Sequence, residues 1–168
     1  MSKCKADKEI NLTQAEADHL LAMKKHCFEN KSYIFPSGGR KIQIPLISSD
    51  KRNEFILDVN SKRLDLQKFT FNTRTKTVIT LVRVDIIKSG FHKNPDDGTI
   101  ITGPHIHRYR EGYGDKLAKP LPPEFGNPDD IFQVFQYFLE YCNIIQKPVF
   151  VKPLFANSHD VANGNQAD

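Results

Sequence analysis

The chain has 168 residues, of which 39% are hydrophobic and 26% charged. This composition is typical of a globular protein, and the length suits one domain with its own core. Residues 1–8 are polar and lead into no apolar stretch, which excludes a secretory signal or a membrane span, so we expect a cytoplasmic protein without a membrane partner. The three cysteines form no CxxC pair, which excludes a disulfide framework and a cysteine-rich zinc site.

The basic residues are concentrated in one part of the chain. The net charge is +4 overall, but residues 31–83 hold eleven basic and four acidic side chains, a net charge of +7. A basic surface of this kind attracts phosphate groups. The alternative interpretation is that these side chains simply solvate the outer positions of strands and turns.

A helix is predicted near the start of the domain. Thr13 and Glu16 have the spacing of a capping box, in which each side chain binds the backbone N–H of the other residue. We predict a flexible N-terminus over residues 1–11, one domain over residues 12–155 and a disordered tail over residues 156–168.

The middle of the chain alternates between apolar and polar residues, which indicates β-strands. Residues 41–46, 54–59 and 78–87 are the clearest segments, and short turns separate them. We predict an antiparallel meander of about five strands, with the apolar segment 78–87 at its centre. Pro45 cannot donate to a neighbouring strand, which predicts that its strand lies at an edge.

A second helix closes the predicted fold. Asn127 is the expected N-cap and Pro128 the expected first helical residue. Apolar residues with helical spacing then form a stripe that suits packing on the sheet: Ile131, Val134, Phe135, Phe138 and Leu139. The predicted fold class is therefore α+β, with an N-terminal helix and a Phe-rich C-terminal helix packed on the sheet.

Residues 88–127 are rich in Gly and Pro and contain a His-x-His pair, His105 and His107. On an extended backbone both imidazoles project from one face. They are candidate ligands of a divalent metal, with His92, Asp96 or Asp97 completing the set, or a general acid and base for phosphodiester cleavage. We expect no cofactor other than such a metal. A purely structural role, in which these side chains hold the loop to the sheet, is the competing interpretation.

Several neighbours of the histidine pair suit recognition of an anion, because Arg matches phosphate geometry and Tyr stacks on bases. The candidate binding residues are His92, Asn94, Arg108, Tyr109, Arg110, Tyr113, Asp115 and Lys116.

Some of these segments resemble a small bacterial and phage family known only as a domain of unknown function. The resemblance covers residues 12–146 and is carried by residues 81–86, 92–98 and 104–122, the last with the pattern Pro-His-x-His-x-Tyr-x-Glu-Gly-Tyr-Gly-Asp-Lys. A fainter similarity is to small toxins of toxin–antitoxin pairs, which have a comparable meander, histidine cluster and closing helix. The family resemblance implies no activity, and the fainter one favours a ribonuclease.

Two functions are consistent with these observations. The first is a binding module of phage, mobile-element or defence context that recognises nucleic acid or a host protein through a basic sheet and the loop with His105, Arg108 and Tyr109. The second is a ribonuclease-like toxin or nuclease that uses His105 and His107. The sequence leaves open whether the protein is an enzyme, and it leaves the oligomeric state open.

Overall fold

The computed structural model describes residues 11–62 and 68–151. The predicted tail and all but the last residue of the predicted flexible N-terminus lie outside these ranges. The helices are α1 (Gln14–Ala22) and α2 (Ile131–Tyr141), and a short 3-10 helix spans Pro123–Phe125. The strands are β1 (Lys25–Cys27), β2 (Ser32–Ile34), β3 (Lys41–Ser48), β4 (Glu54–Ser61), β5 (Phe69–Thr75), β6 (Ile79–Ile86), β7 (Phe91–Lys93), β8 (Ile100–Thr102), β9 (His105–Arg108), β10 (Ala118–Pro120), β11 (Ile144–Gln146) and β12 (Val149–Val151).

Eight strands form one sheet in the order β10-β9-β6-β5-β4-β3-β1-β11, antiparallel except for the pair β1 and β11. Two small sheets pair β2 with β12 and β7 with β8. The predicted α+β class is confirmed, but the prediction of a five-stranded meander is wrong. Strands β1, β10 and β11 have three residues each, which is too few for alternation to show in the sequence.

Strand β3 lies between β4 and β1, so the prediction that Pro45 marks an edge is wrong. The regular pairing of β3 with β1 ends at Leu46 and Cys27. Pro45 comes next, and its carbonyl still accepts from the N–H of Phe28 at 2.9 Å. In an antiparallel strand the N–H of a residue points to the same neighbour as its carbonyl, which here is the chain just after β1. Because Pro45 lies beyond the last paired residue, its missing N–H removes no hydrogen bond from the regular pairing of β3 with β1.

The predicted capping box of α1 is confirmed, with both the Thr13 and the Glu16 bonds present. Helix α2 begins later than predicted, because Asp130 rather than Asn127 is its N-cap and accepts from the N–H of Gln133. Asn127 instead closes the preceding turn, where its side chain accepts from the N–H of Asp129. Neither helix of the described ranges is long and apolar enough to cross a membrane.

The two faces of the sheet differ in chemistry. Helix α2 covers one face, where Phe71 lies 5.0 Å from the Phe135 ring and 5.8 Å from the Phe138 ring, which confirms the predicted packing of this helix. Successive side chains of a strand point to opposite faces, so Asn72 and Arg74 of the same strand project away from α2. We call this second face the polar face.

A buried lysine joins the ends of both helices. The Lys25 side chain is 0% exposed, and its ammonium donates to the carbonyls of Leu21, Met23 and Cys142 at 2.8, 2.9 and 2.9 Å. These carbonyls belong to the last turn and C-cap of α1 and to the C-cap of α2, where helices lack internal donors. Burial lowers the pKa of Lys25 to about 8, which leaves the group protonated at pH 7 with three hydrogens for three acceptors.

We expect Lys25→Met to lower the free energy of unfolding by about 2–4 kcal/mol, because it leaves buried carbonyl groups without donors. Urea denaturation at pH 7 measures the change. Lys24→Met is the matched control, since Lys24 is an exposed neighbour, and it should stay within about 0.5 kcal/mol of the wild type. Equal effects of the two variants would show that the Lys25 bonds do not stabilise the fold.

Candidate metal centre

The pairing of β6 with β9 positions the histidine pair. His107 lies opposite Arg83 and His105 lies opposite Asp85, all on the polar face. His105 is 5% exposed and His107 is 0% exposed. The prediction that both imidazoles project from one face of an extended segment agrees with this geometry.

A third histidine reaches the pair from the hairpin of β7 and β8. The His92 ring centroid lies 4.7 Å from that of His107 and 5.8 Å from that of His105, and the two paired rings are 5.0 Å apart. One ring nitrogen from each histidine lies within 4.8 Å of the other two. The histidine pair and His92 are therefore together in space, whereas the alternative ligands Asp96 and Asp97 do not belong to this group.

Hydrogen bonds to backbone carbonyls orient two of the rings. His92 Nε2 lies 2.8 Å from the carbonyl oxygen of Lys116, and His105 Nδ1 lies 2.8 Å from that of Gly103. A carbonyl oxygen only accepts, so both of these nitrogens carry hydrogen. In the neutral imidazoles, His92 Nδ1 and His105 Nε2 are then lone-pair acceptors.

His107 has a contrasting environment. Its Nε2 lies 2.9 Å from Arg83 Nη2 and 3.4 Å from Asp85 Oδ2, while its Nδ1 is buried without a hydrogen-bond partner. If Nε2 accepts from Arg83, a buried N–H at Nδ1 is left unpaired. If Nε2 donates to Asp85, Nδ1 presents a third lone pair.

A small ionic network of Arg83, Asp85 and Asp115 lies beside the histidines. Asp85 accepts from Arg83 Nε at 2.9 Å and from the Thr70 hydroxyl at 2.7 Å. The other side of the Arg83 guanidinium binds Asp115. Two carboxylates and one guanidinium give this network one net negative charge beside the histidines, which favours a bound cation.

The surroundings of Asp85 and His105 also determine whether these two side chains are protonated. Burial opposes ionisation of Asp85, but the bond from His107, the charge of Arg83 and the Thr70 hydroxyl outweigh it and hold its pKa well below the usual range. Burial lowers the pKa of His105, against the opposing bond to the Gly103 carbonyl. The carboxylate is therefore ionised at neutral pH and burial favours the neutral form of His105.

The predicted binding residues divide into anchored and exposed groups. The Tyr109 side chain is buried, where its hydroxyl donates to the Leu12 carbonyl and accepts from the Leu12 N–H. Arg108 is exposed and pairs with Asp18 of α1 at 2.9 Å. Asn94 exchanges two hydrogen bonds with the backbone of Ala118, which anchors the hairpin carrying His92.

The other predicted binding residues lie in the turn after β9. Arg110 is exposed, and its backbone pairs with that of Gly114. Tyr113 is 37% exposed, Asp115 binds Arg83, and the exposed Lys116 contributes its carbonyl to His92. Only Asp115 and Lys116 of this turn contact the histidine network in the described ranges.

Sequence reasoning did not identify Thr70, Arg83 or Asp85 as part of the site. A signal existed, because Arg83 and Asp85 are the two charged residues within the most apolar strand, at alternate positions. Two such residues on one side of a buried strand indicate a polar face.

The sequence model of one protein family, described as Family of unknown function (DUF6978), matches residues 12–144. No curated protein and no solved structure matches the chain. The predicted resemblance to a domain of unknown function is confirmed in this general form, whereas the exact signature and the toxin similarity stay predictions. The chain belongs to this family of unknown function.

Proposed function

We propose that the protein binds a divalent transition-metal ion through His92, His105 and His107. The convergence of three imidazoles, each of which brings one ring nitrogen within 4.8 Å of the other two, carries this proposal. His92 and His105 each donate one N–H to a backbone carbonyl, the arrangement that orients metal-binding histidines in proteins. The lone pairs of His92 Nδ1 and His105 Nε2 accept from no donor among the described residues and would be available to a cation.

The metal role has more support than metal-free acid–base catalysis by His105 and His107. General acid–base catalysis needs direct or water-mediated access from the imidazole to the reacting group. His105 is 5% exposed and His107 is 0% exposed, so substrate has little access to either ring. Burial does not obstruct a metal ligand in the same way, because the ion rather than the ring contacts the substrate, and His92 is only partly buried.

Binding would draw the histidines closer together. Tetrahedral zinc with nitrogen ligands at about 2.1 Å places them about 3.4 Å apart, whereas the nitrogens here are separated by up to 4.8 Å. His92 lies on a hairpin bounded by Gly90 and Gly103, which have φ of +111° and +73°. Residues with a side chain rarely adopt such φ values, whereas glycine does so readily. These two glycines therefore allow the hairpin to adjust at both ends.

The ligand set favours a hydrolytic activity. Three neutral imidazoles suit zinc, cobalt or nickel and leave a coordination position for water. A metal in such a site lowers the pKa of bound water to about 7 and so supplies a nucleophile at neutral pH. Of the two functions that the sequence suggests, the enzyme therefore has the stronger structural support.

Metal binding is tested by loading the purified full-length chain with zinc, or with cobalt for visible absorption, and measuring metal content after gel filtration. We expect one equivalent in the wild type. His92→Ala should weaken affinity more than about 100-fold, because a ligand is lost outright. His19→Ala is the control, since His19 lies exposed on α1, and it should retain full stoichiometry. A wild type that binds no metal would refute the proposal.

Asp85→Asn should weaken metal affinity about 10–100-fold, because it removes the negative charge and the strong acceptor beside His107. Asp58→Asn is a matched control, since Asp58 is another ion-paired carboxylate of the polar face, with Arg74 as its partner. Isothermal titration with zinc measures both variants. Both lose some stability, but only Asp85→Asn should lose affinity, and a similar loss in Asp58→Asn would contradict the specific role of Asp85.

A further inference from the structure

The polar face extends from the histidines across five strands of the sheet. Strand pairing places two adjacent rows of side chains on this face. One row comprises Gln43, Asp58, Asn72, Arg83 and His107, and the other comprises Lys41, Asn60, Thr70, Asp85 and His105. The candidate metal centre is therefore one end of a continuous polar surface.

The charged residues in the middle of this surface are paired with one another. Asp58 accepts from Arg74 at 2.7 Å and from Gln43 and Asn72 at 3.0 and 3.2 Å. Arg83 is bonded to Asp85 and Asp115. The pair of Asp58 and Arg74 is therefore neutral, and the one net negative charge of the central strands lies in the Arg83 network beside the histidines.

Three lysines lie on the same face, at the start of β3, just after β4 and just before β5, and we call them the lysine cluster: Lys41, Lys62 and Lys68. The N–H of Lys62 donates to the carbonyl of Lys68 at 2.9 Å, which continues the pairing of β4 with β5. Lys62 follows Asn60 by two residues and Lys68 precedes Thr70 by two, so alternation places both on the polar face. None of the three forms a salt bridge with a described residue.

The dimensions of this surface suit an extended anion. Strands β3 and β9 are four strand spacings apart, which separates Lys41 from His105 by about 19 Å. Adjacent rows on one face are about 7 Å apart, so the two rows make a narrow strip. A small phosphate ester would reach only one end of the strip, whereas a single polynucleotide strand spans both.

We propose that the substrate of the histidine centre is a single-stranded nucleic acid, with phosphates held by the lysine cluster and the reacting phosphodiester at the histidines. This inference rests on the proposed function. In the hydrolysis, a water oxygen bonds to phosphorus as the P–O bond to the leaving sugar oxygen breaks, and that oxygen takes up a proton. The neutral middle of the strip accommodates sugars and bases through hydrogen bonds.

Three other exposed basic residues provide a control. Lys51, Arg52 and Lys76 lie in the turns at the opposite end of the strands and are all exposed. Reversing three charges at either end changes the net charge of the protein by the same amount. Only the lysine cluster shares the polar face and the end of the strands on which His105 lies.

The experiment uses the full chain, zinc-loaded or chelator-treated, and a fluorescent oligouridine dodecamer followed by anisotropy and by gel analysis of cleavage. The triple variant K41E/K62E/K68E should weaken binding at least about 10-fold and lower the salt slope by about 2, the value for three lost phosphate contacts on a single strand. The control K51E/R52E/K76E should stay within about twofold. Bound RNA should be cleaved only by the zinc-loaded chain.

Three results would overturn the inference while leaving metal binding intact. The first is that the zinc-loaded chain binds no RNA, and the second is that the two triple variants weaken RNA binding equally. The third such result is that the chain binds a duplex of the same length more tightly than the single strand. Bound but uncleaved RNA in the zinc-loaded state would also overturn the assignment of substrate. A chain that binds RNA through the lysine cluster but takes up no metal would instead refute the proposed function.

Discussion

The pairing of β6 with β9 is the constraint on which the histidine centre depends. It aligns Asp85 with His105 and Arg83 with His107. A shift of one residue would turn both histidines to the apolar face, because side chains alternate along a strand. Val84 and Ile106 oppose that shift, since they are paired in the same register and are buried on the other side. The packing of the core thus maintains the geometry of the polar face.

The two faces of the whole sheet have different roles: one packs against the helices and the other presents polar and charged groups. On the side of α2, aromatic contacts of Phe71 and the bonds of Lys25 hold the helices in place. On the polar face, the buried Asp58 and the partly buried Asp85 are tolerated as charges because each has a partner, Arg74 and Arg83 respectively. An unpartnered carboxylate at either position would carry a large desolvation penalty. The rigid sheet therefore presents ionised groups at fixed positions, which a preorganised site needs.

The charge balance around the histidines is consistent with a cation and an anionic substrate at one centre. Asp85 and Asp115 outweigh Arg83 beside the rings, so a divalent ion would find compensating charge there. Lys41 of the lysine cluster lies about 19 Å from His105 on the same face, and screening at physiological salt limits its repulsion of the ion over that distance. Because the two regions are separated along the sheet, the negative charge beside the histidines can favour a cation while the lysine cluster attracts phosphates.

Local patterns in the sequence determined several elements. The capping box of Thr13 fixed the start of α1, the apolar stripe of α2 placed its buried side, and the two-residue spacing of His105 and His107 placed both on one face. Each of these features depends only on residues that are close in the chain, within one or two helical turns or two positions of a strand, so the sequence alone predicts it. The start of α2 was missed because Asn127 and Asp130 both suit a cap, and only the folded turn distinguishes them.

Only the tertiary structure decided how these pieces form a site. His92 joins the pair because the hairpin of β7 and β8 folds over β9, and Asp85 supports it because β6 is its neighbour in the sheet. The short strands β1, β10 and β11 exist through pairing with distant partners and have no alternation of their own. Such contacts link residues far apart in the chain, and their stability comes from packing and cross-strand hydrogen bonds that no local pattern records.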